Sequence, residues 1–212
     1  MKESQILTCG IILISLVIGI YFYPQMPEEM ALHWNLEGRA GNYVPKFWAL
    51  SFEPLLSTGL FLLFLAIPKI DPLKENIKKL GKHYDGLVVF FVGFLFYLHL
   101  LTIAWHLNVQ FNMLHALTPA LGVLYYFVGV LCEYAERNWF VGIRTPWTMS
   151  NEVVWEKTHK IGAKLFKACG IIAFLGLVFE KFALHLIVLP ILAVAVYTTV
   201  YSYFEYNKQV RV

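Results

Sequence analysis

Six long apolar stretches cross the 212-residue chain, and they constrain its fold before anything else does. They run from about Gln5 to Tyr23, Phe47 to Ile67, Gly86 to Leu107, Leu114 to Glu133, Leu165 to Phe179 and Leu184 to Phe204. A bilayer core of about 30 Å is spanned by roughly 20 apolar residues in a helix. With 58% of its residues hydrophobic and 15% charged, the chain carries more apolar surface than one soluble core of this length buries. The expected fold class is all-α, a polytopic membrane protein of six transmembrane helices. A transmembrane barrel would need short alternating strands, and these are continuous blocks. The first stretch runs on into Tyr21, Phe22 and Tyr23 with no small-residue cleavage site, so it is expected to stay as a helix.

Orientation follows from the basic residues, because short loops rich in Lys and Arg stay in the cytoplasm. With the N-terminus inside, 14 of the 17 Lys and Arg residues lie on the cytoplasmic side, and only Arg39, Lys46 and Lys181 lie outside. This predicts a multi-pass plasma-membrane protein with both termini in the cytoplasm. The net charge of +3 then reports orientation and lipid contact, not nucleic-acid binding. Cys9, Cys132 and Cys169 have no metal-type spacing and suggest no disulfide framework. Three consecutive segments are expected: residues 1–68 with the first two helices, 69–133 with a basic loop and helices three and four, and 134–212 with the last two.

Two connections carry most of the polar sequence. The outer one, Pro24 to Lys46, holds the turn formers Gly38, Gly41, Asn42 and Pro45 and is long enough to have a fold of its own. The cytoplasmic one starts at Tyr134. From Asn151, behind Ser150 as a helix cap, Lys157, Lys160, Lys164 and Lys167 fall on one helical face. Val154, Trp155, Thr158, Ile161, Gly162, Leu165 and Phe166 fall on the other. That pattern predicts an amphipathic helix in the membrane interface before the short fifth span. A shorter amphipathic helix is expected around Lys74 to Lys82.

Five of the seven histidines, His33, His99, His106, His115 and His185, map to the outer half. Glu53 lies about six residues into the second helix, where a carboxyl is costly unless neutral, paired or hydrated. Three readings stand side by side. His33, Glu53, His106 and His115, with Glu37 as another carboxylate, suit a zinc site by ligand type. The same groups suit a polar vestibule that binds a proton or ligand. Alternatively they anchor helix ends, since no two histidines show a His-x-x-His or His-x-x-x-His spacing. On the cytoplasmic side Arg144 suits a carboxylate or phosphate, and a lipid-anchored linker is the plainer account. No Ser-His-Asp order, His-Glu-x-x-His, Walker loop or dinucleotide fingerprint is present, so soluble-type catalysis has no support and no cofactor beyond zinc is expected.

The two long connections together resemble the SdpI family of membrane proteins. The outer loop matches the Pro, His-aromatic-Asn, Gly pattern of that family's domain of unknown function in Pro27, His33, Trp34, Asn35 and Gly38. The cytoplasmic stretch matches its second signature in Gly142, Ile143, Arg144, Thr145, Pro146, Trp147, Thr148, Asn151, Trp155, Thr158 and His159. The resemblance implies a non-enzymatic protein that shields its own cell from a membrane-active peptide toxin outside and couples to a cytoplasmic regulator. A small transporter or proton pathway through Glu53, His99 and His106, and an intramembrane metalloenzyme, are the rival expectations.

Overall fold

The computed structural model describes residues 2–35, 40–109 and 111–210. Eight α-helices and one β-hairpin occur among them: α1 (Glu3–Phe22), β1 (Glu29–Trp34), β2 (Ala40–Pro45), α2 (Lys46–Ile70), α3 (Lys74–Lys79), α4 (Lys82–His106), α5 (Met113–Tyr134), α6 (Pro146–Ser150), α7 (Glu152–Phe174) and α8 (Ala183–Val210). Five helical segments are long and apolar enough to cross a membrane: Glu3–Gln25, Lys46–Ile70, Lys82–His106, Met113–Tyr134 and Glu180–Val210. Each contains the greater part of one expected stretch, because a run of about 20 apolar residues has no other way to satisfy its backbone in lipid.

The remaining expected span lies in α7 as far as Phe174 and runs on past its end, and α7 does not meet the same measure of length and apolarity among the described residues. The sequence suggests an interfacial helix followed by a separate span. The structure has one unbroken helix from Glu152 to Phe174, with no proline to divide it. Its less polar face is covered by protein: Trp155 donates its indole N–H to the Ala135 carbonyl at 2.7 Å, and a Cβ at Gly162 would meet Ile143 and Thr198. Against α5 the helix packs backbone to backbone. A Cβ on Gly122 would come within 3.1 Å of the Gly170 carbonyl, one on Gly129 within 2.7 Å of the Ala163 carbonyl, and one on Gly170 within 2.6 Å of the Gly122 carbonyl. Small residues seven apart on both helices permit the close approach that drives helix association where lipid supplies no hydrophobic gradient.

The hairpin is the departure from an all-α fold. Its strands pair antiparallel, with Met30 opposite Val44, Ala31 opposite Tyr43 and His33 opposite Gly41. Asn42 adopts a left-handed φ of 54°, which Asn tolerates better than most side chains.

The expected division is into three consecutive segments, whereas the structure gathers the chain into two compact units. One comprises Met1–Leu65 with Asp85–Leu117, and the other Ala66–Tyr84 with Thr118–Val212. The first is built on a core of Met26, Met30, Ala49, Leu50 and Ile103, so the hairpin root is packed into the helices that flank it.

Candidate functional sites

In the first unit the hairpin is seated by a histidine. His106, the last residue of α4, accepts the Ala31 backbone N–H on Nε2 at 2.8 Å. Its Nδ1 lies 2.8 Å from the Thr102 carbonyl one helical turn back, and must therefore carry the proton. Met30 and Ala31 are fully buried beside this contact, while Leu32, His33, Asn35 and Tyr43 are exposed. Trp34 packs edge-on against Trp105, with ring centroids 5.6 Å apart. At the hairpin's root the Lys46 ammonium pairs with Glu28 at 2.9 Å and sits 4.8 Å from the Tyr23 ring centroid. Pro27, Glu29, Tyr43, Trp105, His106 and Asn108 line a groove of about 320 Å³ under the hairpin. Gly38, like Glu37, lies outside the described residues.

The four residues weighed as zinc ligands are not brought together: no group of three or more His, Cys, Asp or Glu side chains among the described residues could hold a metal. His106 shows the reason. A neutral imidazole has one lone pair to give, and here Ala31 takes it. His33 stands exposed on β1. The backbone N–H of His115 donates to the Asn112 side chain in the first turn of α5. Glu53 is buried elsewhere, in α2 next to His99 of α4, with Oε2 3.9 Å from Nδ1.

In the second unit the Arg-Thr-Pro-Trp signature builds a hydrogen-bonded hub. Thr145 caps α6: its Oγ1 accepts the Thr148 N–H at 3.1 Å and lies 2.9 Å from the Ser202 hydroxyl of α8. Thr148 answers by accepting the Thr145 N–H at 2.9 Å and donating to the Ile143 carbonyl at 2.8 Å. Pro146 occupies the first turn of α6, where a missing N–H costs nothing. Trp147 lies edge-on to Tyr203 at 5.2 Å, and the Arg144 guanidinium donates to the Trp139 carbonyl. Asn151, not Ser150, caps α7, accepting the N–H groups of Val153 and Val154 at 2.9 and 3.2 Å.

His159 closes the hub. Nε2 accepts the Ile143 N–H at 2.9 Å, so Nδ1 donates to the Trp155 carbonyl at 2.9 Å, and the imidazole stacks on Trp155 at 3.9 Å. Burial pushes its pKa down to about 4, which keeps it neutral and able to accept. Gly142, with φ 121°, is required here, since a Cβ would stand 2.4 Å from Nε2. Thr158 is fully buried beside it, and its hydroxyl has no partner among the described residues.

Several residues of this hub have no counterpart in the sequence reading. Asn138, fully buried, accepts the Phe140 and Val141 N–H groups and donates to the Glu136 and Val141 carbonyls. Asp71 accepts from Leu73 and Trp139, and buried Glu205 pairs with Lys157 and Lys208. An acidic or amide residue near a predicted helix end was the available signal, but its partner was not.

The SdpI/YfhL protein family model matches residues 135–202, and the model of DUF1648, a domain of unknown function, matches residues 10–58. The first range begins at the Ala135 carbonyl that holds Trp155 and ends at the Ser202 hydroxyl that meets Thr145. The second takes in most of α1, the hairpin and the first half of α2. The immunity protein SdpI of Bacillus subtilis (strain 168) is 25% identical over 207 residues, covering 97% of each chain. No solved structure matches. The chain thus carries the SdpI/YfhL family region and the DUF1648 region in order on a set of membrane-length helices, with similarity to an SdpI immunity protein along nearly its whole length.

Proposed function

We propose that this chain is a multi-pass plasma-membrane immunity protein that meets a membrane-active peptide on its outer side through the hairpin. The observation that carries this reading is how the hairpin is mounted. Its root is fixed by Met30, Ala31 and His106, while Leu32, His33 and Tyr43 face outward. A rigid root with exposed apolar and aromatic groups suits capture of an amphipathic peptide. Similarity to an immunity protein along the whole chain supports the same reading.

Six spans with both termini inside agree with the distribution of basic residues and with α7 packed backbone to backbone on α5. In that topology the Arg144 to His159 hub faces the cytoplasm and presents a shaped surface to a protein regulator; nucleic acid has no place in this account. Expression in a peptide-sensitive bacterium, challenged with a panel of membrane-active peptides, tests it. The chain is expected to raise tolerance to at least one peptide, and Trp34→Ala to reduce that protection. Tolerance equal to that of an empty vector across the panel would refute the proposal.

A further inference from the structure

Below the hairpin, three helices of the first unit place polar groups at one depth. Ser15 of α1, Glu53 of α2 and His99 of α4 each lie seven positions from a helix end, at Phe22, Lys46 and His106. That is about 10 Å of helix, well inside an apolar layer of about 30 Å. Ser15 and Ser57 are fully buried, His99 is 3% exposed and Glu53 8%.

The hydrogen bonds of this cluster are incomplete. Glu53 Oε1 accepts the Ser57 hydroxyl at 2.6 Å, but among the described residues neither Glu53 Oε2 nor His99 Nε2 has a hydrogen-bond partner. The 3.9 Å between Oε2 and Nδ1 is too long for a direct hydrogen bond. The Leu50 carbonyl lacks the usual helical donor. It precedes Pro54 by four residues, and proline has no N–H to offer it. Gly19 of α1 faces these atoms: a Cβ built there would lie 3.5 Å from His99 Nε2 and 3.5 Å from the Leu50 carbonyl. Gly19 thus sets no side chain against the imidazole and the Leu50 carbonyl.

We propose that Glu53 and His99 form a proton-binding site inside the membrane, completed by water that bridges the carboxyl, the imidazole and the Leu50 carbonyl. The charge balance favours one proton per pair. Carboxylate with neutral imidazole leaves a net negative charge in the apolar layer; one added proton on the Glu53 carboxyl brings the pair to zero without separating charge. Among the described residues, His99 is the titratable group that faces Glu53. The other groups facing the pair, Ser15 and Gly19 from α1 and Ser57 and the Leu50 carbonyl from α2, do not titrate. Bridging water finds the two to four polar partners it needs. This site stands independently of peptide recognition by the hairpin.

Infrared difference spectroscopy of the full chain in lipid nanodiscs, titrated with acid and base, reads the site directly. The wild type is expected to show a buried protonated-carboxyl band that Glu53→Gln removes. In His99→Gln and in Gly19→Ala, whose methyl fits at contact distance and displaces water, the midpoint of that band is expected to move by about one pH unit or more. A wild-type spectrum that superposes on that of Glu53→Gln, or a midpoint unmoved in both other variants, overturns the proposal. Should Glu53→Gln fail to fold, the two remaining midpoints decide alone, because both variants keep Glu53.

Discussion

The hairpin and the Arg-Thr-Pro-Trp segment are held by the same device and differ in what they leave exposed. His106 and His159 each donate from Nδ1 to the carbonyl four residues back on their own helix, and each accept on Nε2 a backbone N–H from the connection they secure. A neutral imidazole used this way satisfies one backbone donor away from water and fixes the chain that carries it. At His106 the motif residue His33 points outward, and Leu32 and Tyr43 are exposed with it. At His159 the motif turns inward, burying Thr145, Thr148, Trp155, Thr158 and His159 itself. The first segment leaves its side chains exposed, as the proposed recognition requires, and the second buries them.

The largest test of this contrast is Gly142→Ala. Its Cβ would collide with His159 Nε2 on a backbone at φ 121°, so a loss of about 3 kcal/mol or more is expected, read as loss of the monodisperse peak after detergent extraction. Normal yield and melting temperature would show that the hub is looser than described.

Acid should separate the units next. His159 is neutral when folded, with a pKa near 4, against about 6.5 in an unfolded chain. Its contribution is whole above pH 6.5 and is lost as pH falls toward 4, on the order of 3 kcal/mol in all. Melting curves across that range should lose this slope in His159→Gln. An identical slope in the variant would place the titration elsewhere.

A smaller effect is expected from His106→Ala. Leaving the Ala31 N–H without its acceptor costs about 1 to 2 kcal/mol, and should appear as faster proteolysis within the hairpin while the helices melt as before. Smallest in stability is the pair His33→Ala with Tyr43→Ala, within about 0.5 kcal/mol because both side chains are exposed, yet it should cost the most protection per unit of stability. Tolerance assays normalised to membrane abundance separate the two quantities.

The long helices were readable because a long apolar run in lipid must be helical, and five of the six expected stretches match membrane-length helices, with ends that differ by up to six residues. α7 was harder. Its lysines obscure it, and the fit of Gly122 and Gly129 to Gly170 and Ala163 is a property of two helices that neither displays alone. The hairpin was visible only as a cluster of turn formers, since its strands lack a clean alternation of apolar and polar residues. Glu53 stood out by the cost of a carboxyl at depth. Ser15, Ser57 and Gly19 did not, because small and hydroxyl residues are ordinary in membrane helices. No spacing in the sequence announced that His106 works singly, as an acceptor for backbone.

Photocross-linking tests the central contrast most directly. A photoreactive residue at Tyr43, and in a second protein at Ser150 of the hub, is exposed in intact cells to the peptide against which the chain protects best. The account predicts a peptide adduct from position 43 and none from position 150. An adduct from position 150 alone would assign recognition to the segment described here as scaffold.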